Sequence, residues 1–124
     1  MANAVYSSTL PGQISTQRHE LVMDANTDVE VTTSSTTIHQ ITIDNSANSH
    51  ITYLKLYNAA TGSVTVGGTN PDILMACAAS STIDYSFDPG ITLGTAVTAA
   101  TVQEAGTSGT TAPGSAVTVV ILSG

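Results

Sequence analysis

The side chains able to do chemistry are few and widely spaced. Three histidines, His19, His39 and His50, are the first candidates for a metal site. If Thr37 to Asn58 forms two strands, His39 and His50 fall toward opposite ends of the pair. At about 3.4 Å per residue they stand tens of Å apart, too far to share an ion. Asp84, Asp88 and Glu104 form the best acidic set. Asp88-Pro89-Gly90 could lend a carboxylate and backbone oxygens to Ca²⁺, but no stretch has the dense oxygen spacing of a Ca²⁺ loop. A glycosidase would need two carboxylates flanking a sugar cleft, and a chain with no tryptophan has little to stack on a sugar.

Cys77 is the single cysteine, so an internal disulfide is excluded. It lies in the apolar run Ile73 to Ala78 with no basic partner nearby, which reads as a small buried hydrophobe and not a nucleophile. The pieces Val66-Gly67-Gly68-Thr69 and Thr107-Ser108-Gly109 lack the lysine and following helix of a phosphate loop. No G-x-S-x-G elbow occurs. The expectation is a protein without catalytic residues, cofactor or metal, and hence not an enzyme.

Contact residues are the alternative. Tyr53, Lys55 and Tyr57 alternate along one strand and therefore share a face. Tyrosine is enriched at interfaces, and Lys55 is expected to meet an acidic neighbour. Near the N-terminus, Val5, Tyr6, Leu10, Ile14 and Arg18 could anchor an extended arm on a neighbouring subunit.

The element that must position these groups is Thr37 to Asn58, TIHQITIDNSANSHITYLKLYN. It reads as a hairpin: strands Thr37 to Asn45 and His50 to Asn58, with Ser46 to Ser49 as the turn. Pairing Asn45 with His50 puts Ile41, Ile43, Leu54 and Leu56 on one oily face. Tyr53, Lys55 and Tyr57 then fall on the other, mixed face.

Around it, residues 1–20 read as an extended arm and residues 21–124 as one β domain. Leu21 to Met23, Val29 to Thr32, Ser63 to Val66, Ile73 to Ala78, Thr82 to Phe87, Ile91 to Leu93, Thr95 to Val102 and Ala116 to Leu122 have strand character. Ile73 to Ala78, apolar on both faces, is expected to be central. Asp88-Pro89-Gly90 is a strong turn signal. Gln103 to Ser115 reads as a long, flexible loop. About eight strands with turns every 8–12 residues predict an all-β antiparallel sandwich, jelly-roll-like or Ig-like. The composition agrees: charged residues are only 9%, and Thr, Ser, Ala and Gly fill the gap, so helix formers such as Glu, Lys and Arg are scarce.

The formal charge is −7, and Arg18 and Lys55 are the only basic side chains. Phosphate neutralisation needs Lys and Arg, so nucleic acid is excluded as a partner, and an anionic membrane surface is disfavoured. No run reaches the roughly 18 apolar residues of a membrane span, and the first twenty residues lack the charged and apolar regions of a signal peptide.

The sequences Tyr53-Leu54-Lys55-Leu56-Tyr57-Asn58, Val64-Thr65-Val66-Gly67-Gly68-Thr69-Asn70-Pro71-Asp72 and Phe87-Asp88-Pro89-Gly90-Ile91 resemble small β-sandwich virion proteins of tailed bacteriophages, among them capsid decoration or cement proteins. The resemblance spans Thr37 to Leu122 and brings no catalytic residues. It implies a protein made in the host cytoplasm that binds the outer capsid surface. There it would brace capsomers against each other, with the major capsid protein and neighbouring copies as partners. The alternatives are a tail, neck or baseplate component, or a carbohydrate-binding β-sandwich module.

Overall fold

The computed structural model describes residues 17–124. Eight strands account for nearly all of its regular structure: β1 (Gln17–Met23), β2 (Val29–Thr32), β3 (Thr36–Asp44), β4 (Thr52–Tyr57), β5 (Ile73–Cys77), β6 (Thr82–Leu93), β7 (Val97–Val102) and β8 (Val117–Ser123). They form two four-stranded antiparallel sheets. One has the order β1-β8-β3-β6 and the other β2-β7-β4-β5. That interleaving is the eight-stranded jelly roll, which settles the choice against the Ig-like arrangement.

Alternation along each strand builds the core. Val117, Val119 and Ile121 of β8 point inward with Ile38, Ile41 and Ile43 of β3. Leu54 and Leu56 of β4 meet them from the other sheet, with Val97 and Ala99 of β7 beside them. Each aliphatic side chain fully buried in this layer contributes roughly 1.5–3 kcal/mol.

The hairpin expected at Thr37 to Asn58 does not exist. β3 pairs with β6 and β8, whereas β4 pairs with β5 and β7. Ser46 to Ser49 belongs to a crossing between sheets. The expected oily set nevertheless survives, because Ile41, Ile43, Leu54 and Leu56 face one another across the sandwich and not along one sheet.

Other elements shift for identifiable reasons. Gln17 to Glu20, expected as the end of an arm, pair with Val120 to Ser123 in β1. β5 is an edge strand and not a central one, and the small residues of β7 occupy the crowded interior instead. Ser63 to Val66 is no strand; a single 3-10 turn covers Thr61–Ser63. Asp88-Pro89-Gly90 does not turn the chain back, and β6 runs through it as an irregularity opposite Ile38 and Gln40. Gly90 is needed there: its φ is 121°, and a Cβ would come within 2.7 Å of Thr37 Cγ2.

Candidate interaction surface

The two outward faces of the sandwich are finished differently. On the β2-β7-β4-β5 sheet, Lys55 and Tyr57 of β4 point outward beside Ala100 and Thr98 of β7, and all four are buried. Two segments roof them. Val64 and Val66 pack on Tyr57 and Ala100. The stretch 103–115 lies over Lys55, whose Nζ donates to the carbonyls of Gly106 at 2.7 Å and Gly109 at 3.2 Å. Further bonds fasten that stretch at intervals. Asn26 Nδ2 donates to Thr110 O at 2.6 Å, Thr107 Oγ1 to Asn70 Oδ1 at 2.8 Å, and Gln103 Nε2 to Ala112 O at 2.8 Å. It is a strap and not the flexible loop its composition predicts. Burial pushes the Lys55 ammonium below its ordinary value of 10.5, and the Glu104 carboxylate partly offsets this. Burial likewise holds the Tyr57 hydroxyl above 10.0, with the charge of Asp28 adding to it.

The predicted contact patch therefore dissolves. Tyr53 is half-buried, and Lys55 and Tyr57 lie fully beneath their own chain. Lys55 donates to backbone carbonyls, and the acidic neighbour expected of it is Glu104, which acts on it through its charge and not through a hydrogen bond. Arg18 is exposed on β1 and pairs with Glu20 at 2.9 Å. Val5, Tyr6, Leu10 and Ile14 lie outside the described residues.

The corner between β3 and β4 was missed at the level of sequence. Asn45, fully buried, donates through Nδ2 to the carbonyls of His50 at 2.9 Å, Ala78 at 3.1 Å and Cys77 at 3.3 Å. Its Oδ1 accepts from Asn48 Nδ2 at 2.9 Å and Thr52 Oγ1 at 2.8 Å. Asn48 in turn clamps both backbone groups of Ser115, accepting from its N at 2.6 Å and donating to its O at 3.0 Å. One side-chain cluster thus ties the sheet crossing, the turn after β5 and the foot of β8.

On the β1-β8-β3-β6 sheet no roof is present among the described residues. Register aligns the outward side chains in rows: Val22, Thr118, Asp44, Thr82; then Glu20, Val120, Thr42, Asp84; then Arg18, Leu122, Gln40, Ser86. Val22 is 66% exposed, with Val120 half-buried one row further along β8 and Leu122 half-buried one row beyond that. The carboxylates are held in place. Asp44 Oδ1 accepts from Ser46 N at 3.0 Å and Thr82 Oγ1 at 3.1 Å, and Asp84 Oδ1 accepts from Thr42 Oγ1 at 2.5 Å. The bonds from Ser46, with that from Thr82, lower the Asp44 pKa below its ordinary 3.8. The signal was visible in the sequence: Val120, Ile121 and Leu122 are consecutive, so one face of β8 could not hide all its apolar groups.

The remaining chemical groups stand apart. Among the described residues no cluster of three or more His, Cys, Asp or Glu side chains could hold a metal ion. His19 Nε2 lies 3.1 Å from Ser123 Oγ, but Ser123 is fully buried, so the pair joins β1 to β8. β1, β2 and the turn after β2 border a cleft of about 490 Å³ lined by Gln17, His19, Glu30, Thr32, Ser34 and Thr36. Neither ring nitrogen of His39 has a partner, whereas His50 Nε2 accepts from Gly114 N at 3.2 Å. Cys77 is buried, its thiol pushed above 9.0 by desolvation, as its apolar setting suggested. No helix among the described residues is long and apolar enough to cross a membrane.

No family model matches this chain, and no curated protein matches it. Two solved structures are similar. One is a chain of the disulfide-linked pili formed by Bacillus endospore appendages, at 13% identity and a TM-score of 0.39, covering 95% of each chain. The other is a chain of infectious bursal disease virus, Gx strain, at 12% identity and a TM-score of 0.29; it aligns with 99% of this chain and 36% of its own. At these TM-scores neither likeness bears on function.

Proposed function

We propose that this chain is a structural subunit that adheres to a larger protein assembly, and that it is a capsid decoration or cement protein on the outside of a bacteriophage head. The observation that carries this reading is the contrast between the two sheet faces. One is largely covered by its own chain, with Leu74 at its edge still 43% exposed, and among the described residues the other is uncovered, with Val22 standing in solvent. Contiguous exposed apolar surface rimmed by polar groups marks interaction sites. Among the described residues the open face has no aromatic side chain to stack on a sugar, which favours a protein surface over a glycan. The jelly roll is a common architecture of capsid domains, and the sequences around Tyr53, Gly67 and Pro89 resemble those of phage virion proteins.

The major capsid protein is the partner in this reading, with copies of the chain spaced over its lattice. A protein that binds only the assembled shell stabilises it by linkage, so modest contacts repeated over many copies suffice. The test adds purified chain to shells that lack it. Co-sedimentation is expected, with a shell melting temperature that rises with the logarithm of chain concentration. Absence of binding would overturn the reading, and immunogold labelling confined to the tail would move the chain to a tail, neck or baseplate role.

A further inference from the structure

We infer that the open face of the β1-β8-β3-β6 sheet is the docking surface, and that its occupant is a protein surface bearing Lys or Arg side chains around an apolar spot, not a second copy of this chain. The inference rests on the adhesion reading and adds which face binds and what it binds. The face presents Glu20, Asp44 and Asp84 among Val120 and Leu122 on the inner strand β8 and Val22 on the edge strand β1. Its one cation among the described residues, Arg18, is already engaged by Glu20.

The carboxylates are also fixed. Hydroxyl and amide donors bond Oδ1 of Asp44 and of Asp84, and Oδ2 of each accepts no hydrogen bond among the described residues. Oriented acceptors lose little entropy on meeting a guanidinium or ammonium group.

A second copy cannot supply that group. Arg18 and Lys55 are the only Lys and Arg residues in the chain. Lys55 is buried under the strap with its donors on carbonyls, and Arg18 would bring Glu20 with it. Two such faces brought together would oppose carboxylate to carboxylate, and like charges across an interface select against pairing. Charge complementarity therefore requires a different, basic chain.

Carboxyl footprinting tests this on the native protein. The full chain, free and in the particle that carries it, is treated with a water-soluble carbodiimide and glycine ethyl ester. Glu20, Asp44 and Asp84 should label in the free chain and be protected in the particle, while Asp24, Asp72 and Glu104 label equally in both. Carbodiimide alone should join the protected carboxylates to lysines of a different chain. Protection at Asp72 and Glu104 with the sheet face still labelled would overturn the choice of face and leave adhesion standing. Cross-links from this face to the amino terminus or Lys55 of another copy would overturn the choice of partner. A chain that sediments free of every particle would overturn the adhesion reading and this inference with it.

Discussion

Lys55 Nζ lies 2.7 Å from the carbonyl oxygen of Gly106, joining the centre of one sheet to a strap fifty-one residues further along the chain. A buried ammonium is costly unless its donors are used, and here backbone carbonyls use them. Replacing Lys55 by Met keeps the apolar stem but strands the carbonyls of Gly106 and Gly109. Stability should fall by about 2 kcal/mol, since hydrogen bonds to charged groups are worth roughly 1.5–3 kcal/mol. The loss should be local first: amide exchange across 103–115 accelerates while β3 and β8 keep their protection. Unchanged exchange in the strap would show that Lys55 does not hold it.

Asn45 should be the least replaceable polar residue. Asn45→Ala leaves Asn48 Nδ2, Thr52 Oγ1 and the carbonyls of Cys77 and Ala78 short of partners at a buried corner. Stranded buried groups cost about 1–3 kcal/mol each, and a network multiplies the effect. A loss of roughly 3 kcal/mol or more in urea unfolding is expected, larger than for Ala at Thr42 or Gln40 on the open face.

Thr101 should improve when its hydroxyl is removed. It lies opposite Leu54 on the core side of β7, fully buried, and its Oγ1 has no hydrogen-bond partner. Thr101→Val keeps the shape and deletes an unsatisfied group, so stability should rise by about 1 kcal/mol. A lower urea midpoint for the variant would contradict this account of the core.

Alkaline pH should weaken the fold in a defined order. Burial holds Cys77 above 9.0 and Tyr57 above 10.0. The unfolded chain releases each proton first, so the folded state binds more protons and stability falls as pH rises past these values. Lys55 acts in the opposite sense. Its folded value lies below 10.5, so its contribution to stability climbs with pH between the two. In Cys77→Ala the decline should begin near the Tyr57 value and not near 9.0. At acid pH the Asp44 contribution, present above 3.8, is lost as pH falls through its lowered folded value. Denaturant titrations across pH check both limbs.

The alternation of side chains along each strand was legible without coordinates, because period two depends only on local backbone geometry. Alternation groups Ile41 with Ile43 and Leu54 with Leu56; the hairpin register that puts all four on one sheet face is wrong, but they share one core from opposite sheets. The all-β class follows equally from a chain rich in Thr and Val and poor in helix formers.

Which strands are neighbours was decided by tertiary structure. Ser46 to Ser49 suits a hairpin turn locally, yet the chain crosses between sheets there. Asn45 and Asn48 bond to His50, Ala78, Ser80 and Ser115, and most of these partners lie far away in sequence. The same holds for Lys55. Its position on a mixed face was readable, but its burial depends on a strap that arrives only after β7. Alternation names the two faces of a strand, and only the completed fold determines which face of which sheet remains open to a partner.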